Sequence, residues 1–141
     1  MSSRVDEMSY EVVMFCQVDA SDIGVFGERV CSNVASQCEG VTYSDVSTSN
    51  DSNAYRIETA SGQELDIQFY WAGMFFEHSI AMASRESNSG VAPDSTCIIG
   101  MNLSGDVPWL VILKIWENVF SDNSAVLYDE ADGFAASLNA P

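Results

Sequence analysis

The first strongly apolar stretch of the chain covers residues 10–18, with the sequence YEVVMFCQV. Apolar side chains occupy both odd and even positions, and many of them are β-branched or aromatic. Successive side chains of a strand point to opposite faces of a sheet, so a strand that is apolar at both parities is covered on both sides. The pattern predicts a strand in the middle of a sheet.

Two later stretches repeat apolar residues every three or four positions, which is the spacing of one face of an α-helix. The first covers about residues 21–37 and ends before Gly40, a residue type that commonly terminates helices. The second covers about residues 107–121 and has Pro108 in its first turn, where the missing N–H does no harm. Its apolar stripe consists of Trp109, Ile112, Leu113, Trp116, Val119 and Phe120. We predict two amphipathic helices.

Two glycines lie within the first predicted helix. Gly24 and Gly27 each cost a helix about 1 kcal/mol relative to alanine. The first turns of this helix are therefore either loose or packed closely on the sheet.

Three segments between the predicted helices have strand character, at residues 41–46, 55–59 and 64–71. The polar residues 47–53 separate the first two segments, and a hairpin signal at Ser61 and Gly62 separates the second and third. The third segment alternates strictly, so that one face is apolar and the other carries Glu64, Asp66, Gln68 and Tyr70. The pattern predicts an antiparallel meander with one buried face and one wet, acidic face.

The rest of the chain gives three more elements. Residues 96–103 and 125–128 are expected to be strands. Residues 74–84 are ambiguous between strand and helix. The alternation of His78, Ile80 and Met82 with Glu77, Ser79 and Ala81 favours a strand there.

The order of these elements predicts a single two-layer α+β domain. Two amphipathic helices cover one face of a mainly antiparallel sheet, and the opposite face, or part of it, is left to solvent or to a partner. The domain is expected to span residues 10–136, with a flexible N-terminal segment at residues 1–9 and a C-terminal tail at residues 137–141.

The charge of the chain indicates the kind of partner that it binds rather than the fold that it adopts. Twenty-one Asp and Glu against five Lys and Arg give a net charge of −16 on 141 residues. Nucleic-acid and anionic-membrane binders use basic surfaces, so neither class fits. With 47% apolar and 11% aromatic residues the chain can bury a core, unlike a disordered acidic chain. A basic protein is the predicted partner, and adaptation to high salt is an alternative source of the acidity.

The N-terminal twenty residues carry Asp6, Glu7 and Glu11 and no uninterrupted apolar segment, so no secretory signal is visible. The longest apolar stretch, residues 107–116, is broken by Lys114. We expect a cytoplasmic protein that does not enter a membrane.

No pattern of catalytic or metal-binding residues stands out. The chain has one histidine, His78, and four cysteines with no C-x-x-C pair, which favours buried thiols over a zinc site. The turn at residues 129–133 does not match a calcium-binding loop, and neither a nucleotide-binding glycine loop nor a nucleophile motif is present. The prediction is no catalytic residue, no metal and no cofactor.

In type, over its whole length, the chain resembles the immunity proteins of bacterial polymorphic toxin and contact-dependent competition systems. The resemblance lies in a small, acidic, α+β domain with scattered carboxylates and no catalytic set. It implies a protein that binds and blocks a basic toxin domain, often a nuclease, and it assigns no role to any residue.

The partner-binding residues are predicted from charge and position alone. Loops on a rigid scaffold often carry binding residues, and two loops here are rich in acid. The candidates are Asp129, Glu130 and Asp132 after the last strand, Asp45 and Asp51 around the serine-rich turn, Glu64 and Asp66 on the wet strand face, and Tyr70 as an exposed aromatic anchor.

Two other functions fit the same sequence. One is a small enzyme with a carboxylate or cysteine site in a sheet pocket. The other is an accessory domain whose acidity only maintains solubility.

Overall fold

The computed structural model describes residues 9–86, 92–104, 108–122, 124–129 and 133–134. The helices in these residues are α1 (Ile23–Gln37), α2 (Met74–Glu86) and α3 (Trp109–Asp122). The strands are β1 (Ser9–Cys16), β2 (Thr42–Asp45), β3 (Ser52–Glu58), β4 (Glu64–Tyr70), β5 (Cys97–Ser104) and β6 (Ala125–Asp129). The strands form one antiparallel sheet in the order β2-β3-β4-β5-β1-β6, which confirms the predicted α+β class.

Strand β1 lies inside the sheet, as its two-sided apolar pattern predicts. It pairs with β5 from Ser9 opposite Ser104 to Cys16 opposite Cys97, and with β6 on its other side. Met14 and Phe15 point to opposite faces, and neither is exposed to solvent. Both faces of the sheet are therefore covered at this strand.

Helices α1 and α3 pack together on one face of the sheet and begin two residues later than predicted. The core that they cover includes Met14, Ile57, Ile67 and Ile99 from the strands. Of the two helical glycines, Gly27 lies against the sheet, where an added Cβ would be 2.8 Å from Cδ1 of Phe69. Gly24 has nothing within 4 Å of such a Cβ. Close packing of α1 on the sheet therefore explains why position 27 is a glycine.

The prediction of a strand at residues 74–84 is wrong. Helix α2 occupies this segment and packs on the opposite face of the sheet from α1 and α3. Phe76, Ile80 and Ala83 follow helical spacing, and they join a second core with Phe15 and Ile98. The alternating polarity at positions 77–82 was misleading, because a half-buried helix also exposes many of its positions. Part of the molecule therefore has three layers rather than two.

The predicted meander is confirmed as β2, β3 and β4. Strand β3 begins at Ser52, three residues earlier than expected, because Ser52 and Asn53 pair with Tyr70 and Phe69. In β4 the side chains of Leu65, Ile67 and Phe69 are buried, as the alternation predicts. In the part of the chain described, none of the helices has the length and apolar character needed to cross a bilayer.

Candidate functional site

Helix α2 covers only part of its face of the sheet. Phe15, Ile98 and Tyr70 point to this face and belong to the core under α2. Every second residue along the same strands points to the same face, also beyond the end of the helix. There the face presents polar side chains from β1, β3, β4 and β5. We call this region the acidic sheet face, and it consists of Glu11, Arg56, Glu58, Glu64, Asp66, Gln68 and Asn102.

The strand register aligns one row of these side chains across four strands. Glu11 lies opposite Asn102, Asn102 opposite Asp66, and Asp66 opposite Arg56. Arg56 Nε donates a hydrogen bond to Asp66 Oδ1 at 2.9 Å, and this contact raises the pKa of the guanidinium. Both side chains are largely exposed, so the ion pair contributes little to stability.

The next row places two like charges together. Glu58 ends β3 and lies directly opposite Glu64, the first residue of β4, and both are exposed. Like charges at opposite positions of an antiparallel pair destabilise the pairing. With Glu11 and Asp66, the acidic sheet face carries four carboxylates and one guanidinium. Its formal charge is negative, and its side chains are fixed on strands rather than on loops.

Tyr70 marks the border between the acidic sheet face and the surface under α2. Its ring is 4.4 Å from that of Phe75, and its hydroxyl donates a hydrogen bond to Gln68 Oε1. Burial, and secondly the carboxylate of Glu11, raise the pKa of the phenol. Helix α2 half-buries Tyr70, so the residue is less exposed than predicted, and its role as an aromatic anchor stays a prediction.

The structure separates Asp45 and Asp51 from the acidic sheet face. Asp45 lies opposite Tyr55, whose side chain points to the other face of the sheet, and it remains exposed. Hydrogen bonds from Ser47 lower the pKa of the Asp45 carboxyl. Asp51 is exposed beside Gly73, before α2, and its carbonyl accepts a hydrogen bond from the Trp71 N–H. Glu64 and Asp66 are the two predicted residues that the sheet brings together.

The predicted acidic turn after the last strand is only partly described. Asp129 belongs to β6 and pairs with Val12, and its N–H and C=O both bond to Gly133. It is 7% exposed, so its expected position on an exposed loop is wrong. Glu130 and Asp132 lie outside the described residues.

Two concave surfaces lie on the side of α1 and α3. A polar cleft of about 560 Å³ is lined by Asp19, Asp22, Arg29 and Asp94, among others. Arg29 Nη2 is 3.8 Å from Asp22 Oδ1, which makes a long ion pair. The second surface is more apolar and measures about 650 Å³. We call it the apolar groove. It lies between the end of α1, the β3–β4 hairpin and the start of α3.

Comparison with protein-family models, with curated proteins and with solved structures finds no match. Among the described residues, no group of three or more His, Cys, Asp or Glu is arranged to hold a metal ion. His78 is exposed on α2.

Sequence reasoning missed four residues of the acidic sheet face, Glu11, Arg56, Glu58 and Asn102, and the whole of the apolar groove. Arg56 and Glu58 had a visible signal, since both lie on the polar parity of β3, whereas Glu11 shares its parity with the buried Val13 and Phe15. The groove had none, because it forms where three distant segments meet.

The four cysteines are free thiols and differ in burial. Cys16, Cys31 and Cys97 are at most 1% exposed, and burial raises the pKa of Cys31 to about 12. Cys38 is half-buried and lines the apolar groove. Because thiolate and access control reactivity, we expect Cys38 alone to react rapidly with N-ethylmaleimide in the folded protein.

Mass spectrometry should find one adduct per native chain and four in denaturant. Cys38→Ser should remove the native adduct. Equal labelling of two or more thiols in the native protein would contradict the burial described above.

Proposed function

We propose that this protein binds a basic protein through the acidic sheet face and blocks it, as an immunity protein blocks a toxin domain. The observation that supports the proposal is the open part of the sheet opposite α1 and α3. Its carboxylates lie on paired strands, so they are held in position before any partner arrives. From β3 to β1 the face is four strands wide, which is about 14 Å. That width suits a protein surface better than a small ligand.

The charge of the whole chain adds to this local pattern. A net charge of −16 attracts a basic protein from a distance and raises the association rate. A basic cleft is what a nuclease presents to its substrate, so a partner of that kind meets a complementary potential here. Binding at the cleft would then exclude nucleic acid.

The Glu58–Glu64 pair gives a second reason to expect a cation. The two carboxylates face each other at the end of the hairpin, a position where like charges repel, and the guanidinium of Arg56 offsets only part of their charge. A lysine or arginine from a partner would relieve this repulsion. The site is therefore better satisfied in a complex than alone.

The proposal predicts a rate effect. After affinity capture of the natural partner, Glu58→Gln combined with Glu64→Gln should reduce the association rate constant about tenfold at low ionic strength. The difference should shrink as salt screens the charges. Stopped-flow fluorescence at several salt concentrations measures both effects.

The matched control is Asp19→Asn combined with Glu28→Gln, which removes the same charge from the side of α1. This variant should slow association less than the sheet variant does. Equal slowing would assign the effect to net charge and not to the acidic sheet face. A partner with an acidic contact surface, or turnover of a substrate by the purified protein, would contradict the proposed function.

A further inference from the structure

We propose that the apolar groove anchors a basic, amphipathic helix of the partner protein by taking up its apolar side chains. The inference rests on the proposed function for the basic character of the partner. It adds a second contact surface on the opposite side of the sheet from the carboxylates, at the same end of the β3–β4 hairpin.

The walls of the groove are held in place by backbone contacts. In the hairpin, Thr59 N–H donates to the Gln63 carbonyl at 2.9 Å and Gly62 N–H donates to the Thr59 carbonyl at 3.0 Å. Gly40, after α1, has φ of 77° and approaches Ala60 so closely that an added Cβ would lie 2.6 Å from the Ala60 Cβ. The end of α1 and the hairpin therefore form one fixed wall, and the groove exists before binding.

The apolar lining of the groove contains one buried residue and one that projects into solvent. Val111 is 4% exposed, whereas Leu110 next to it is 75% exposed and projects at the edge. A small-molecule site encloses most of its ligand. An exposed leucine beside an open apolar groove suits a surface that both receives and inserts side chains, which is the pattern of a protein interface with a few central anchors.

Charge complementarity determines the chemistry of the occupant. Glu39 and Glu117 line the groove. The one cation in the lining, Lys114, has its ammonium 3.3 Å from Glu117 Oε1. Two carboxylates against one ammonium leave the lining negative, and the net charge of −16 on the chain adds to this, which favours an occupant with lysine or arginine around its apolar residues. Helices that lay an apolar face into a groove carry such flanking charges readily.

The test uses two synthetic peptides made only of leucine and lysine, each about 18 residues long so that a helix can form. One peptide places its leucines on one helical face, and the other scatters the same leucines around the helix. Fluorescence anisotropy measures their affinity for the intact protein. We expect the amphipathic peptide to bind at least about tenfold more tightly than its scrambled control.

Two further readouts locate the binding. The bound amphipathic peptide should slow the reaction of Cys38 with N-ethylmaleimide, a neutral reagent whose approach does not depend on charge. Leu110→Gln should weaken binding of this peptide about tenfold. The matched control is Met74→Gln, since Met74 is 77% exposed and lies on α2, across the sheet. This control should leave the affinity unchanged.

Equal affinity for the two peptides, or binding that leaves Cys38 reactive, would overturn the groove assignment. Loss of Cys38 reactivity at rising protein concentration without peptide would assign the groove to a second copy of the chain, and would overturn it too. These failures are separate from a failure of the proposed function, which is judged on the association kinetics of the sheet variants with the natural partner.

Discussion

Replacing Phe69 with alanine is expected to lower the free energy of unfolding by about 3–5 kcal/mol. Phe69 is 1% exposed in β4, between β3 and β5. Its ring meets those of Phe26 and Tyr55 edge-on, with centroids 5.8 and 5.9 Å away. The substitution removes the ring that joins α1 to the sheet and leaves a cavity that these neighbours cannot fill.

Equilibrium unfolding in urea measures this loss. Phe120→Ala is the matched control, because Phe120 is 56% exposed on α3, and it should cost less than about 1 kcal/mol. If Phe69→Ala does not fold, Phe69→Leu should still fold with a smaller loss. Equal losses for Phe69→Ala and Phe120→Ala would contradict the packing around Phe69.

The second large effect concerns two glycines in the same helix. Gly27→Ala should destabilise the protein by about 1–3 kcal/mol, because the new methyl would lie 2.8 Å from the Phe69 ring and 3.0 Å from that of Tyr55. Gly24→Ala should instead stabilise it by up to about 1 kcal/mol, since its Cβ meets open space. The same substitution therefore has opposite signs three residues apart.

Thermal and urea unfolding of both variants check these signs. The Gly27→Ala loss should become smaller in a Phe69→Leu background, because the shorter side chain makes room for the methyl. An unchanged loss in that background, or a stabilising Gly27→Ala, would place α1 farther from the sheet than the structure does.

The sheet and two of its three helices follow from the sequence, because their patterns are local and strict. Leu65, Ile67 and Phe69 alternate with polar residues, and this alone defines the buried face of β4. Trp109, Ile112 and Trp116 likewise define the face of α3 that meets the core. The faces that such periodic patterns define are the faces that the folded structure buries.

The predictions from sequence are wrong where contacts between distant parts of the chain determine the structure. Helix α2 covers a face whose strand residues, Phe15 and Ile98, come from distant parts of the chain, so the demand for a third helix is invisible locally. Asp129 is buried because β6 continues one residue further to pair with Val12. For the same reason, the sequence predicts only some of the residues of the acidic sheet face. Glu64 and Asp66 were found from their own strand, whereas Glu11 and Glu58 join them only through the register.

The central position of β1 has a consequence for how the chain reaches this structure. Strand β1 is synthesised before its partners β5 and β6, and Cys16 lies 81 residues before its partner Cys97. Pairing over such a separation requires the closure of long loops. The entropy of loop closure is lost before the contacts of the sheet compensate for it, which slows folding. A nascent chain therefore carries β1 with at least one edge unpaired until residue 129 has been made, and an apolar strand with a free edge is prone to association with other chains during that time.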